Sequence, residues 1–213
     1  MKMNEIAEGV EAGRARDVCA LVQAALDAGA PALKILNEGL MPGMAAVGEA
    51  FKSGEAFVPE MLVAARAMSK GVALLKPHLT SSDASVSGKV VIGTVKGDLH
   101  DVGKNLVRMM LESKGLEVID LGTDVPPEAF VSTAKEQACD IICCSALLTT
   151  TMPVMGDVVA TAKAQGIRDR VKIMVGGAPV TDAYCREIGA DCYTTDAVRC
   201  AEMAVEYCNS KRA

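Results

Sequence analysis

The residues with the clearest chemical meaning are Asp98 and His100, two positions apart in the segment Thr94-Val-Lys-Gly-Asp-Leu-His-Asp-Val-Gly103. A carboxylate at this spacing can accept a hydrogen bond from one imidazole nitrogen, which fixes the tautomer and makes the other nitrogen a better metal ligand. The chain of 213 residues has just one other histidine, His78, so a site built from several imidazoles is excluded. A metal bound here must bring most of its own ligands, a condition that a metallomacrocycle meets. The alternative is a helix-capping aspartate beside a surface histidine.

The chain from residue 90 onward alternates short β-branched segments with amphipathic ones. It predicts strands at 90–95, 116–121, 140–145, 171–175 and 192–194, and helices at 102–114, 127–138, 153–165, 181–188 and 196–210. Strands that are apolar on both faces and alternate with helices predict an α/β Rossmann-like domain, with a doubly wound, parallel, five-stranded sheet of flavodoxin-like order 2-1-3-4-5. Ligands of such sheets bind at the carboxyl ends of the strands, where the loop with His100 lies.

The N-terminal part, from residue 14 to about 79, has a helical pattern throughout. We expect a helix that ends near Gly29, a break at Gly39–Gly43, a second break at Lys52–Gly54, and then a long helix from Val58. The apolar face of that last helix comprises Met61, Ala65, Met68, Val72, Leu75 and Leu79. These elements predict an all-α helical bundle. The polar segment 80–89 is typical of a linker, so the predicted domains are 1–84 and 88–213.

Composition excludes several classes of function. The net charge is −5 and no Lys/Arg-rich run is present, while the aromatic residues are limited to three Phe and three Tyr. We therefore expect no nucleic-acid partner. No apolar stretch approaches the ~20 residues of a membrane span, and the N-terminus lacks the apolar region of a secretory signal. Eight cysteines without a Cys-x-x-Cys pair favour a reducing, cytoplasmic location.

Three short motifs occur in order in the second domain: Asp98-x-His100-x-x-Gly103, Ser145-x-Leu147 and Gly176-Gly177. The second motif follows the first after 41 residues, and the third follows the second after 28 residues. In this order and at these separations, the motifs resemble the three-part signature of cobalamin-binding domains of the methionine-synthase type. The resemblance implies that His100 replaces the cofactor's dimethylbenzimidazole as the lower cobalt ligand, with Asp98 as its hydrogen-bond partner. Thr151 matches the position of a serine that holds the aspartate in methionine synthase. The resemblance implies that Asp98, His100 and Thr151 form the catalytic network.

The loops that carry these motifs give the set of expected cofactor contacts. The set comprises Thr94, Gly97, Asp98, Leu99, His100, Asp101, Val102, Gly103, Ser145, Leu147, Thr149, Gly176 and Gly177. Small side chains after the third strand leave space for the nucleotide tail, and the glycine pair allows a ligand to approach the backbone closely. We expect Gly103 to permit close packing at the start of its helix. Lys104 and Asn105, like Asp101, are candidates for contacts with the corrin side amides.

The helical part contains Gly43-Met44-x-x-Val47-Gly48-x-x-Phe51-x-x-Gly54-x-x-Phe57-Val58-Pro59. This pattern resembles the helical cap domain that precedes the cobalamin domain in the same proteins. There a Phe and an apolar residue seven positions later cover the upper face of the cobalt, and Phe51 and Val58 match those places. The alternative is that both are ordinary core residues of the bundle. A cap over a reactive cobalt must also move aside to admit a partner.

The pairing of these two domains is most similar to the stand-alone corrinoid proteins of methyltransferase systems. The resemblance implies a carrier, with methylcobalamin as its loaded state, that takes a methyl group onto Co(I) from a donor-specific methyltransferase. The donor classes are methylamines, methanol, betaines and aryl methyl ethers. A second methyltransferase then passes the methyl group to coenzyme M or tetrahydrofolate, and a corrinoid reductive activator restores oxidised cobalt. Such a carrier is a component of a multi-protein enzyme.

Two alternatives within the cobalamin proteins remain open at this point. A cobalamin-dependent sensor would use its helical part to gate a signalling partner, but no recognition helix or basic patch accompanies this chain. The cobalamin subunit of a carbon-skeleton mutase has no need of a cap with Phe51 and Val58. A flavodoxin-like domain without a cofactor is the remaining possibility.

Overall fold

The structure, a computed structural model, describes residues 3–78 and 88–211. The chain divides into two compact units, Met1–Ser85 and Val86–Ala213, of which the first is helical and the second is α/β. Most of the predicted linker at 80–89 and the predicted domain boundary lie outside the described residues. Lys89 belongs to a strand, so the linker prediction extends too far at its C-terminal end.

The first unit consists of helices. They are α1 (Met3–Glu11), α2 (Ala15–Asp27), α3 (Ala32–Ile35), α4 (Met41–Ser53) and α5 (Val58–Leu75), with a π-helical turn at Leu36–Leu40 and a 3-10 turn at Lys76–His78. The expected ends near Gly29 and at Lys52–Gly54 are confirmed, and Gly54 has the left-handed conformation common after a helix. The apolar face predicted for α5 is buried at Met61, Ala65, Met68 and Leu75 and half-buried at Val72, whereas Leu79 lies outside the described residues.

Two sequence-based expectations for this unit are wrong. Helix α1 was not predicted, although Ile6 and Val10 bury one of its faces. The expected break at Gly39–Gly43 is also absent, since the π-helical turn runs directly into α4. Gly39 and Gly43 instead allow close helix packing, because a Cβ at Gly39 would crowd Ile6 and one at Gly43 would overlap the carbonyl oxygen of Ala7. Pro42 is tolerated because it lies in the first turn of α4.

The second unit alternates strands and helices as predicted. Its strands are β1 (Lys89–Thr94), β2 (Glu117–Asp120), β3 (Ile141–Ser145), β4 (Lys172–Gly176) and β5 (Cys192–Tyr193). Its helices are α6 (Val102–Ser113), α7 (Pro127–Glu136), α8 (Pro153–Ala164), α9 (Asp182–Ile188) and α10 (Ala197–Ser210). All strand pairs are parallel and the order is β2-β1-β3-β4-β5, which confirms the predicted Rossmann-like fold.

The central strands bring the candidate motifs to one edge of the sheet. The register pairs Thr94, the last residue of β1, with Ser145, and pairs Ser145 in turn with Gly176. The three loops that follow these residues therefore start side by side. Buried apolar side chains such as Phe130, Ile142 and Met155 form the core on one face of the sheet and hold this edge in place. Within residues 3–78 and 88–211, no helix is both long and apolar enough to cross a membrane.

Candidate functional site

The loop between β1 and α6 places His100 at the carboxyl edge of the sheet. It begins with a turn in which the amide of Asp98 donates to the carbonyl of Val95 over 3.1 Å. Gly97 takes the third position of this turn with φ 84°, which a residue with a Cβ adopts only with strain. Beyond the turn, the buried Thr94 hydroxyl donates to the carbonyl oxygen of His100 over 2.7 Å. The chain is thus held on both sides of Asp98.

The Asp98 carboxylate is fully buried and is the centre of the site. Its Oδ1 accepts from the amide of His100 at 3.1 Å and lies 2.8 Å from His100 Nδ1. Its Oδ2 accepts from the amides of Leu147 at 2.7 Å and Leu148 at 3.2 Å, and from the hydroxyl of Thr151 at 2.9 Å. Loops after β1 and β3 therefore converge on one carboxyl group.

These hydrogen bonds decide the protonation state of Asp98. Burial alone would raise its pKa, but donation from the Leu147 amide, His100 and Thr151 outweighs burial and lowers the pKa well below the ordinary aspartate value. Asp98 is therefore an anion that only accepts hydrogen bonds, so the proton between it and His100 sits on Nδ1. In the neutral imidazole with this tautomer, the other ring nitrogen, Nε2, carries the lone pair that binds a metal.

The His100 side chain is open to a ligand. It is 53% exposed, and its neighbours Leu99 and Val102 are 73% and 66% exposed. Large apolar side chains with this exposure on both sides of a histidine form a surface suited to a flat, largely apolar ring system. Leu147, from the loop after β3, is also exposed and extends the apolar surface.

The glycine pair after β4 has two different structural roles. Gly177 has φ 130°, and a Cβ there would overlap the carbonyl oxygen of Ala146, so the close approach of the two loops requires glycine. At Gly176 an added Cβ meets no described atom within 4 Å. The strand therefore ends beside open space, which a bound molecule could fill.

The structure corrects the role expected for Gly103. A Cβ at this position also meets no described atom within 4 Å, so Gly103 does not serve close packing and instead leaves space at the start of α6. Lys104 is not free for the corrin side amides, because its buried ammonium group lies 2.6 Å from Asp120. Asp101 and Thr149 are exposed in the converging loops, and Ser145 is half-buried at the end of β3.

Phe51 and Val58, the residues predicted to cap the cobalt, belong to the first unit. Phe51 is half-buried in α4, and Val58 is 38% exposed as the first residue of α5. Neither is among the fully buried core residues of that unit. Their placement over the upper face of a cofactor stays a prediction.

Two contributors to the site were not predicted from the sequence. The amide of Leu148 donates to Asp98, and a backbone donor leaves no trace in a sequence. Asp124, in the loop after β2, accepts from the amide of Gly97 at 2.7 Å. An aspartate shortly after Gly122 and just before Val125-Pro126 is a turn signal that could have drawn attention to this loop.

The residues present fit a metal that arrives with most of its coordination complete. The part of the chain that the structure describes holds no group of three or more His, Cys, Asp or Glu side chains that could bind a bare metal ion. It does offer one imidazole oriented by a buried carboxylate, apolar side chains around it, and open space at Gly103 and Gly176. This donor set suits a metal whose equatorial ligands belong to a macrocycle.

Removing the Thr151 hydroxyl tests the network without touching His100. In Thr151→Val the Asp98 carboxylate loses one donor while the side-chain volume is kept, so we expect the free energy of unfolding to fall by about 1.5–3 kcal/mol. Thr151→Ser keeps the donor and is the matched control, with a loss below about 1.5 kcal/mol for the missing methyl group. Urea denaturation of the cofactor-free protein measures both. Equal losses in the two variants would show that the Thr151 hydroxyl does not contribute to the free energy of unfolding.

Comparison with known proteins finds a family match for each of the two units. Two family models, each described as a B12 binding domain, match residues 88–201 and 3–76. A dimethylamine corrinoid protein of Methanosarcina acetivorans is 43% identical over 204 residues, which cover 96% of this chain and 95% of that protein.

Two solved structures extend the comparison. A cobalamin-binding protein from Desulfitobacterium hafniense matches 97% of this chain and 98% of its own at 32% identity, with a TM-score of 0.78. In the methanol:cobalamin methyltransferase complex MtaBC from Methanosarcina barkeri, the matched chain has a TM-score of 0.88 at 28% identity. That match covers 97% of this chain and 79% of the other.

Proposed function

This chain belongs to the B12-binding family as a corrinoid protein of methyltransferase systems, and from this premise we propose that it carries a methyl group between two partner enzymes. Its cofactor is a corrinoid. The observation that carries the proposal is the single, half-exposed imidazole of His100, held at Nδ1 by the buried anion of Asp98. An oriented imidazole without further protein ligands suits the lower side of a cobalt corrin.

The chain's own residues prepare the site. When bound, the corrinoid supplies a cobalt that can accept a methyl group from one partner and release it to another. His100 offers Nε2 as the lower ligand, and Asp98 holds the proton on Nδ1 and raises the electron density of the ring. The amides of Leu147 and Leu148 and the Thr151 hydroxyl keep Asp98 ionised and in place. His100, Asp98 and the donors to Asp98 are therefore held in place by the chain itself, before any other protein docks.

The remaining predicted contacts form part of the same proposal. Leu99, Val102 and Leu147 present apolar surface to the ring, while Gly103 and Gly176 leave space for it. Within the first unit, Phe51 and Val58 cover the upper face in this proposal. The proposal treats the two units as a cap domain and a cofactor domain, in line with the separate matches to residues 3–76 and 88–201.

For the methyl donor, we favour a methylated amine. Relatives named dimethylamine corrinoid proteins are 43% and 42% identical to this chain in sequence comparison. Among the solved structures, the monomethylamine corrinoid protein of Methanosarcina barkeri is 35% identical, against 28% for the protein in the methanol complex. The first partner is then an amine-specific methyltransferase. The second passes the methyl group to coenzyme M or tetrahydrofolate, and a corrinoid reductive activator restores oxidised cobalt on the carrier. We place this scheme in the cytoplasm.

Reconstitution with purified partners tests the proposal. The protein, loaded with cobalamin and reduced to the Co(I) state, is mixed with dimethylamine, monomethylamine or methanol and the corresponding methyltransferase. Absorption spectroscopy follows methylation. We expect methylation with an amine enzyme at least tenfold faster than with the methanol enzyme. Methylation with the methanol enzyme alone would overturn the donor class. A lack of methylation with these enzymes and also with the betaine and aryl methyl ether enzymes would contradict the carrier role.

A further inference from the structure

Asp124 is one of two described non-glycine residues with a positive φ, the other being Ala138. Its φ is 56°, a left-handed conformation that costs free energy and that Asp and Asn tolerate better than most residues. Asp124 lies in the loop after β2, the strand next to β1 in the sheet. A strained residue in this position must be held there by its contacts.

Two hydrogen bonds join Asp124 to the loop that carries Asp98 and His100. Its carboxylate accepts from the amide of Gly97 at 2.7 Å, and its own amide donates to the carbonyl oxygen of Asp98 at 3.0 Å. The next residue, Val125, donates its amide to the carbonyl of Thr94 at 3.0 Å. The loop after β2 is therefore hydrogen-bonded to Asp98 and to the residues that precede Asp98.

The two sides of Asp98 are thus fixed by different neighbours. Its side chain is held from the β3 side by Leu147, Leu148 and Thr151, and its backbone is held from the β2 side by Asp124. The first set of contacts fixes where the carboxylate lies. The contacts with Asp124 fix the backbone of the turn at Gly97 and Asp98, and hence the direction in which the chain continues to His100.

We propose that Asp124 is a positioning residue for His100, acting through the amide of Gly97 and the backbone of Asp98. This rests on the proposed role of His100 as the lower cobalt ligand. The hydrogen bond of the Asp124 side chain goes to the amide of Gly97 and not to the imidazole. Its carboxylate determines how well the Asp98–His100 hydrogen bond is aligned, and so how often the imidazole is presented in the binding geometry.

A matched pair of variants separates the carboxylate from the strained backbone. Asp124→Gly keeps a residue that favours positive φ and removes the acceptor for Gly97. Asp124→Asn keeps an acceptor oxygen at the same place and tolerates the same conformation. Asp124 is exposed, so neither change leaves a buried cavity and we expect both to fold. Should Asp124→Gly lose cooperative unfolding, Asp124→Ser, whose oxygen is too short to reach Gly97, replaces it.

The first readout needs no cofactor. In the full-length, 15N-labelled protein, the Nδ1 proton of His100 gives a resonance protected from exchange by its hydrogen bond to Asp98. We expect Asp124→Gly to lose or broaden this resonance and Asp124→Asn to keep it. An unchanged resonance in Asp124→Gly would overturn the proposal.

The second readout uses aquocobalamin and the 15N-labelled protein, because the cofactor's own dimethylbenzimidazole nitrogen can also bind cobalt and only the label identifies a protein nitrogen. We expect Asp124→Gly to bind the cofactor about tenfold more weakly, with a smaller fraction of protein showing 15N coordination in the electron paramagnetic resonance spectrum after reduction to Co(II). Asp124→Asn should match the wild type. Wild-type affinity and coordination in Asp124→Gly would overturn the positioning role alone. Coordination by a 15N-labelled protein nitrogen that persists in His100→Ala would instead overturn the proposed ligand, so the two failures are distinguishable.

Discussion

Replacing His100 with alanine is expected to remove the protein's imidazole ligand from the cobalt of the reconstituted protein and to lower methyl transfer by about 100-fold or more. Loss of a residue that merely orients a metal ligand typically costs 10–100-fold in affinity or activity, so loss of the ligand itself should cost no less. Of the two histidines, His100 is the one that the described structure places at this site. The measurement is the absorption spectrum after loading with cobalamin, followed by the rate of methylation with the partner enzyme.

His100→Ala should have only a small effect on the free energy of unfolding. The ring is half-exposed, and Asp98 keeps the amides of His100, Leu147 and Leu148 and the Thr151 hydroxyl as donors. We expect the cofactor-free variant to lose about 1 kcal/mol of stability, less than the loss expected for the buried Thr151 hydroxyl, because water screens the hydrogen bond of the half-exposed ring to Asp98. A large loss of activity in a well-folded protein would therefore be specific to ligation.

The second histidine provides the matched control. His78 is exposed in the 3-10 turn that follows α5, in the other unit of the chain. His78→Ala removes the same side chain and should leave the spectrum and the rate at wild-type values. If His100→Ala kept the wild-type spectrum, or if His78→Ala lost it, the assignment of the ligand would be wrong.

The sequence predicts the second unit well because its periodicity reports burial directly. Each strand is a short apolar segment followed by a helix, so residue type and length alone separate the elements. The order β2-β1-β3-β4-β5 follows from the parallel, doubly wound pattern and places the loops with His100 and Ser145 side by side. The position of the candidate site is thereby predicted without any coordinates.

The errors arise where a glycine or a backbone group acts through its neighbours in space. Gly39 and Gly43 look like a helix break, yet they are helical because α1 packs against them. Gly103 looks like a packing glycine and instead faces open space. Asp124 acts on Gly97, in a loop far away in the sequence, and no local pattern encodes such a pairing.

Gly177→Ala is expected to be the most destabilising single substitution in the loops around the site. The new methyl group would overlap the carbonyl oxygen of Ala146, and the residue would have to keep a φ of 130°. The carbonyl cannot simply yield, because the amide of Ala146 donates to the carbonyl of Gly176 and ties the two loops together at 3.1 Å. We expect a loss of about 4 kcal/mol or more, a large part of the 5–15 kcal/mol that stabilises a typical domain.

Gly176→Ala is the matched control, and it separates folding from binding. Its Cβ meets no described atom within 4 Å, so urea denaturation of the cofactor-free protein should show wild-type stability or a gain of up to about 1 kcal/mol. If the open space at the end of β4 receives the cofactor, the same methyl group should weaken cobalamin binding, measured by titration. Wild-type stability in Gly177→Ala would contradict the steric argument, and wild-type affinity in Gly176→Ala would place the cofactor away from the end of β4.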